Sequence, residues 1–583
     1  MDRQWLVNKT KPEYIHYFAK KNAVSAILAQ ILINRGLKTP EEIRSFLNPD
    51  ITKMSDPFDL PDMQKAVQRI RTASEKGEKV LVHGDYDADG LTATTIVVKA
   101  LKMLGITYDF FIPNRMVHGY GFTPDSVHEA KRKGASLIIT VDCGITSFSA
   151  VSQSKREGID VIITDHHEPK KIPPSVSQGT IPKTAQTRQH EFSLPDAFAV
   201  INPKTVIHSP AVDLSGAGVA LKLVQALFID HGFEDIMSQF LDLAALGTIA
   251  DVVPLTGENR MIVKEGLDMI GHGTNTGLLA LQRVSGIKDK FLKPGRLLFS
   301  IIPRINAPGR ISDARSVINL LSTDSEEEAM DIASWLDQQN SERQRIEATV
   351  YQEALTVLEQ KGVTPFIVLS AEGWHKGVIG IVASRIAETF TRPVIILSID
   401  GDTARGSARS IPAIDIYDAL SACRDCLSRF GGHKQAAGLE LRSQDIPLFE
   451  DSLNRVIVDR MDDQDFTPAL HIDAHIDLSD VSFQLLKEFA LLEPFGTGNP
   501  EPLLGSKSLE VIEPRVVGNG HLKMKLRQKK NAVDAIGFDM ASYLATLESS
   551  YRIDVVFTPF INEWNGSRHL NLNLKALRPS IEN

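Results

Sequence analysis

Hydrophobic and polar positions alternate in blocks along the first half of the chain. Lys79-Val80-Leu81-Val82-His83, Leu137-Ile138-Ile139-Thr140-Val141 and Gly158-Ile159-Asp160-Val161-Ile162-Ile163-Thr164 are short apolar runs that predict buried strands. Between the first two lies Leu91 to Leu104, which has neither Gly nor Pro and predicts a helix. Strands that alternate with helices predict a parallel sheet with right-handed crossovers. The segment 168–196 is polar and proline-rich and predicts a loop or insertion over one face; helices then dominate to about residue 290. Residues 324–361 lack Gly and Pro and predict one long connecting helix. Phe366-Ile367-Val368-Leu369 and Pro393-Val394-Ile395-Ile396-Leu397, with a helix from Val378 to Phe390 between them, predict a second α/β unit. Near the end the period shortens to two: Leu522, Met524 and Leu526 point one way, Lys523, Lys525 and Arg527 the other. Asn571-Leu572-Asn573-Leu574 alternates too. These strands predict a small β-barrel of the oligonucleotide-binding (OB-like) type. The first 75 or so residues read as helices broken by Pro and Asp.

The expected fold is therefore α/β and multidomain. It comprises an N-terminal helical segment (1–75), a parallel-sheet catalytic domain (76–323), a connecting helix (324–361), a second α/β domain (362–465) and the barrel with its leading segment (466–583). A length of 583 residues supports several cores. The chain has no apolar run long enough for a membrane helix, its start does not resemble a signal peptide, and its three cysteines fit a reducing, cytoplasmic setting. A net charge of −9 argues against general coating of nucleic acid but leaves room for a local basic groove. Cys423 and Cys426 look like a metal pair but lack partners, and read as helix packing.

The chemistry sits where the apolar runs end. The first runs into Gly84-Asp85-Tyr86-Asp87-Ala88-Asp89-Gly90, the second into Asp142-Cys143-Gly144, the third into Asp165-His166-His167. A fourth acid, Asp251, follows Leu246-Gly247-Thr248-Ile249-Ala250. Any one of these alone reads as a turn, a cap or a surface pair. Together, at strand ends of one parallel sheet, they converge on the crevice where such sheets bind ligands. So many carboxylates repel one another unless cations bind among them. Mixed carboxylate and imidazole ligation suits Mn²⁺ or a similar ion, and two close ions fit phosphoryl chemistry.

At these motifs the sequence resembles the DHH phosphoesterase superfamily and, within it, the bacterial RecJ family of single-strand-specific exonucleases. The resemblance extends over Gly247 to Leu255, over Gly431-Gly432-His433-Lys434-Gln435-Ala436-Ala437-Gly438, which looks like the signature of a DHH-associated domain, and over Glu493 to Pro500. It implies two divalent metal ions, Mn²⁺ or Mg²⁺, held by Asp87, Asp89, Asp142, Asp165, His166 and Asp251, with Asp142 and Asp89 as candidate bridges. His167 is left for the scissile phosphate, and His83 and Asp85 either ligate or orient a ligand. The implied activity is 5′→3′ hydrolysis of single-stranded DNA to 5′-mononucleotides in recombination and repair. A helicase and a single-strand-binding protein are the implied partners, and no membrane is involved. Rival readings are a DHH phosphodiesterase for short oligonucleotides or cyclic dinucleotides, and a non-catalytic replication scaffold. The barrel speaks against the first and the full acidic set against the second.

Phosphate contacts are expected from Arg115, from Arg304 and Arg310 in a Gly/Pro-constrained loop, and from Arg405, Ser407 and Arg409, which share a strand face. His433 lies in a Gly-rich loop suited to close phosphate approach. From His521 to Lys530 there are five Lys/Arg and no acid, so Lys523, Lys525 and Arg527 are candidate contacts to the strand.

Overall fold

In the computed structural model the described residues are 4–114, 121–172, 191–232, 236–273, 275–458, 466–548, 552–564 and 566–580. Arg115 and most of the 168–196 segment lie outside them. The chain divides into two compact units. One comprises Thr52–Val253 and Glu265–Pro468; the other joins Met1–Ile51, Pro254–Lys264 and Ala469–Asn583.

The first unit is built on a five-stranded parallel sheet in the order Tyr108–Phe111, Val80–His83, Leu137–Val141, Asp160–Thr164, Ala199–Ile201. The three central strands are almost wholly buried, which is why they read as continuous apolar runs rather than alternating ones. The helix Ala88–Met103 packs against Gly216–Leu227 and Leu241–Ala250. Two expectations are corrected here. The run before Asp251 is not a strand but the end of the helix Leu241–Ala250, whose first nine residues are buried. A short, fully apolar run has no period that separates the two. Arg304 and Arg310 lie not in a loop but in the helix Pro294–Ile311, which contains Pro303 and Pro308. Its buried residues Leu297, Ile301 and Ile305 recur every fourth position, and this packing outweighs the lost proline donors.

The connecting helix runs from Glu326 to Lys361, 36 residues, capped by the Ser325 side chain on the Glu328 amide. It leads to a second five-stranded sheet. Ile367–Glu372 and Val394–Asp400 pair in parallel, with the helix Ile379–Phe390 between them in sequence. Thr403–Arg409, Ala436–Arg442 and Arg429–Gly432 extend the sheet in antiparallel.

In the other unit the strands Leu504–Val517, His521–Gln528, Asn531–Gly537, Ser567–Pro579 and Arg552–Trp564 pair in that order, and the last also pairs with the first. The sheet thus closes into a five-stranded barrel. Leu522, Met524 and Leu526 enter its core beside Ile553, Val555 and Leu572, as the alternation requires. The same core takes in Phe18, Leu28, Ile31 and Phe46 from N-terminal helices. The N-terminal region is not wholly helical: Gln4–Val7 forms a strand parallel to Ala469–Ile472. No helix among the described residues is long and apolar enough to cross a membrane.

Candidate metal centre

Register places the acidic loops side by side. His83 pairs with Thr140 and Val141 with Thr164, so the chain leaves three neighbouring strands at one level. The Asp142 amide still bonds to the Thr164 carbonyl (3.0 Å), and the Asp165 amide to that of Ile201 (3.1 Å). Asp142 then turns with φ +59°, a left-handed conformation uncommon outside Gly. This turn directs the carboxylate toward the start of the helix Gly216–Leu227. A Cβ at Gly216 would lie 2.5 Å from that of Asp142, so only glycine permits the approach.

The side chains meet in three overlapping clusters, each with its ligand atoms within 4.8 Å of one another: Asp85, Asp87 and Asp142; Asp89, His166 and Asp251; Asp142, His166 and His167. Asp142 is thus common to two groups, as His166 is. Asp87 caps the helix Ala88–Met103, its Oδ1 accepting from the Asp89 and Gly90 amides. Asp89 is fixed from the other side by the amides of Gly216 (2.7 Å) and Ala217 (2.9 Å). Asp165 falls outside the clusters. Its Oδ1 accepts from the His166 and His167 amides and from His167 Nδ1 (2.8 Å), while Oδ2 accepts from the Ile145 amide. His83 also stands back: it is buried, with Nε2 2.8 Å from Ser126 Oγ and Nδ1 3.5 Å from Cys143 Sγ.

The electrostatics are those of an anionic pocket. Burial, then the charge of Asp87, raises Asp89 to about 7. Burial, then Asp89 and Asp87, raises Asp251 to about 8 and pushes Asp142 well above the carboxylate range. Burial and the neighbouring His167 lower His166 to about 3. Burial opposes the charged form of His167 too, but Asp165 prevails and raises it to about 9. Asp165 itself falls to about 2, because the His167 charge and hydrogen bond outweigh its burial. Cations fit this donor set. Asp142 Oδ1 and His166 Nε2 are buried without a hydrogen-bond partner, and a neutral imidazole beside carboxylates is a ligand mixture suited to Mn²⁺ or a similar divalent ion.

The candidate phosphate ligands fall into distinct settings. Arg409 donates to Ser384 Oγ (3.1 Å), Ser407 Oγ (3.0 Å) and the Ala408 carbonyl, and Gly380 lies so close that a Cβ there would be 3.0 Å from both Arg409 Nη2 and Ser407 Oγ. Arg405, on the same strand, pairs with Glu440 at 2.8 Å. His433 is half-buried; burial and then the charges of His167 and Lys204 lower its pKa, which places it within electrostatic reach of the metal cluster. Arg304 pairs with Asp337, and Arg310 donates to the Gly377 carbonyl at 3.3 Å. In the barrel, Arg527 forms a two-point pair with Glu510 and Lys525 lies 3.9 Å from Asp534.

Several supporting residues escaped sequence reading. Asn306 Oδ1 accepts from the Ala88 amide (2.7 Å) and so holds the loop that carries Asp87 and Asp89. Asn202 donates to the His167 carbonyl, and the charge of Lys204 acts on His166 and Asp251. None belongs to a strand-end acid motif. The only signal for the Gly216–Ala217 amides was the small-residue run Ser215-Gly216-Ala217-Gly218.

A parallel sheet with clustered strand-end carboxylates, a long helix and a second α/β domain define the DHH class of proteins. Residues 79–248 match the model of the DHH family N-terminal domain, 363–459 that of the DHHA1 domain, and 472–576 that of the RecJ OB domain. The chain belongs to the RecJ family. It is 35% identical to the single-stranded-DNA-specific exonuclease RecJ of Bacillus subtilis, over 98% of this chain and 70% of that one. It is 32% identical to the Escherichia coli RecJ, over 95% and 96%. It superposes on the crystal structure of Thermus thermophilus RecJ in complex with Mn²⁺ with a TM-score of 0.83 at 30% identity, covering 99% of this chain and 80% of the other.

Proposed function

We infer that the protein is a single-stranded-DNA-specific exonuclease that hydrolyses phosphodiester bonds with two divalent ions, Mn²⁺ or Mg²⁺. The observation that carries this is the set of overlapping ligand clusters, two sharing Asp142 and two sharing His166, in a chain of the RecJ family. Asp85, Asp87 and Asp142 would hold one ion, and Asp89, Asp142, His166 and Asp251 the other. When bound, the ions activate the attacking water and stabilise charge on the attacking and leaving oxygens. Asp165 is a positioning residue: its bonds to both histidine amides and to His167 Nδ1 set the two rings. His167 places a positive charge beside the scissile phosphate. His83, bonded to Ser126 and next to Cys143, would brace the end of its strand and the loop that follows.

We further assign the polarity 5′→3′. The water oxygen attacks the phosphorus that follows the first nucleotide, the bond to the 3′ oxygen breaks, and that oxygen leaves with a proton. A 5′-mononucleotide is released, and the shortened strand again begins with a phosphate. Arg409, Ser407 and the start of the helix Ile379–Phe390 form a cradle for that terminal phosphate, with His433 on the side toward the metal cluster. Arg310, Arg304, Arg405, Lys523, Lys525 and Arg527 contribute weaker, screened attraction, since most already face an acid. We assign it a role in recombination and repair, beside a helicase that exposes single strands and a protein that binds them.

The test is digestion of single-stranded DNA labelled at either end, with Mn²⁺, Mg²⁺ or chelator. Mononucleotides should appear from the 5′ end and only with metal. Release from the 3′ end would overturn the polarity, and activity confined to dinucleotides would favour a small-substrate phosphodiesterase.

A further inference from the structure

The two most exposed large hydrophobic side chains among the described residues are Phe291 (91% exposed) and Phe299 (83%). They stand eight residues apart, at the start of the helix Pro294–Ile311. A lone exposed phenylalanine needs no explanation, but two on one short stretch mark a contact surface. Lys288, Lys290, Lys293 and Arg296 lie on the same stretch, flanking Phe291 and preceding Phe299 in sequence, all exposed, against the single acid Asp289. Lys288, Lys290 and Arg296 enter no ion pair among the described residues. This contrasts with the barrel strand, where Arg527 and Lys525 already face acids. On a chain of net charge −9 such a concentration of positive charge is a local feature with a preferred partner.

The helix itself shows where the surface leads. Phe299 and Asn306 are seven residues apart and therefore share one helix face. Asn306 holds the Ala88 amide, in the loop that carries Asp87 and Asp89. Phe299 thus precedes the metal-ligand loop by about 10 Å along the helix axis.

We propose that Phe291 and Phe299, with Lys288, Lys290, Lys293 and Arg296, form an accessory contact for the single strand outside the metal centre. Bases stack on the two rings and phosphates lie against the cations. This arrangement grips any sequence, because every base offers a flat face. An acidic protein segment would satisfy the cations as well, but two exposed aromatic rings on a stretch with four exposed cations offer both the flat faces and the charges that the bases and phosphates of a nucleic acid need. The inference rests on the reading of the protein as a single-strand exonuclease.

The experiment measures binding of fluorescent oligo(dT) of increasing length to the full chain in chelator, across a salt series. Metal-dependent digestion by the wild type is measured in parallel. Phe291→Ala/Phe299→Ala should weaken binding of long oligonucleotides by about tenfold or more, with Phe299→Trp retaining affinity. Lys290→Ala/Arg296→Ala should flatten the dependence of log affinity on log salt by about 0.7 per cation removed. If the wild type digests single strands and both double variants bind with its affinity and salt slope, the accessory contact is refuted while the exonuclease reading stands. Binding of an acidic peptide that depends on these residues, with DNA affinity unchanged, likewise refutes it. A wild type that neither binds nor digests single strands overturns the exonuclease reading itself.

Discussion

His166 Nε2 and Asp142 Oδ1 lie 3.1 Å apart, yet neither atom has a hydrogen-bond partner. The imidazole is held neutral by burial, and the carboxyl is pushed toward its protonated form by burial and the four neighbouring aspartates Asp89, Asp87, Asp251 and Asp85. Two buried acceptors aimed at one point cost free energy unless something positive lies between or beside them. The strand ends are therefore arranged for a cation, which would offset the mutual repulsion of the carboxylates.

Asp142→Ala should abolish this junction. Turnover is expected to fall by several orders of magnitude, because both ligand clusters lose a shared oxygen. Calorimetric titration with Mn²⁺ should show loss or strong weakening of both sites, with far-ultraviolet circular dichroism unchanged. Two Mn²⁺ bound with wild-type affinity would remove Asp142 from the bridging position.

The raised acids also make a statement about pH. Among the protein's own groups Asp89 stands at about 7, Asp251 at about 8 and His167 at about 9. Each lies above its unfolded value, so between pH 6.5 and pH 8 the folded state binds more protons than the unfolded one. Stability must then fall as pH rises through this window. Bound Mn²⁺ stabilises the deprotonated forms and should remove the dependence. Thermal unfolding at both pH values, in chelator and in Mn²⁺, checks it; equal pH dependence in the two would dismiss the linkage.

Arg409→Ala should erase the preference for a 5′-phosphate over a 5′-hydroxyl while leaving Mn²⁺ binding intact. The guanidinium is already oriented by Ser384 and Ser407, so a terminal phosphate would meet it without reordering the side chain. The measurement compares initial rates on the two kinds of 5′ end. An undiminished preference in the variant would place the pocket elsewhere.

Much of this centre was legible because the buried parallel strands announce themselves as apolar runs, and their ends fall next to one another by register. The pattern brings Asp87, Asp89, Asp142 and His166 to one crevice; which of them hold ions is implied by the family resemblance. Asp251 was found as an acid after an apolar run, but its helix was not, because a uniformly buried run carries no period. The helix Pro294–Ile311 was hidden by Pro303 and Pro308, whose local cost is overridden by a buried face that sequence cannot weigh. The close packing of N-terminal helices with the barrel joins residues more than four hundred positions apart, as Ser25 does in donating to Glu488. No local pattern encodes such a pairing.

The proline-containing helix gives a further prediction. A Cβ at Gly309 would sit 2.3 Å from the Tyr86 carbonyl oxygen, a backbone atom that cannot swing aside. Gly309→Ala should therefore displace the loop carrying Asp87 and Asp89 and disturb the Asn306 bond to Ala88. Mn²⁺ affinity and kcat should fall together, while affinity for single strands in chelator changes little. Asn306→Ala should show a milder version, on the order of tenfold, as expected for a lost supporting contact. A Gly309→Ala protein with normal Mn²⁺ affinity would show that the loop does not depend on this contact.

Arg260 makes the last case, in the unit that holds the barrel. It is 1% exposed, its guanidinium stacks 4.2 Å from the Phe46 ring, and it donates to the carbonyls of Phe46, Leu491, Leu492, Glu493 and Pro494. Burial and then the charge of Arg35 lower its pKa only to about 10, so it stays charged at neutral pH. It therefore ties the segment after Val253 to the turn Leu491–Pro494 and to an N-terminal helix at once. Arg260→Met preserves bulk but strands those carbonyls, at about 1–3 kcal/mol for each that finds no other donor. Arg260→Lys keeps the charge but cannot fork to five acceptors, so it should lie between methionine and wild type. Thermal unfolding of the full chain should follow the order arginine, lysine, methionine. A methionine variant as stable as the wild type would mean that water or neighbouring donors already satisfy these carbonyls.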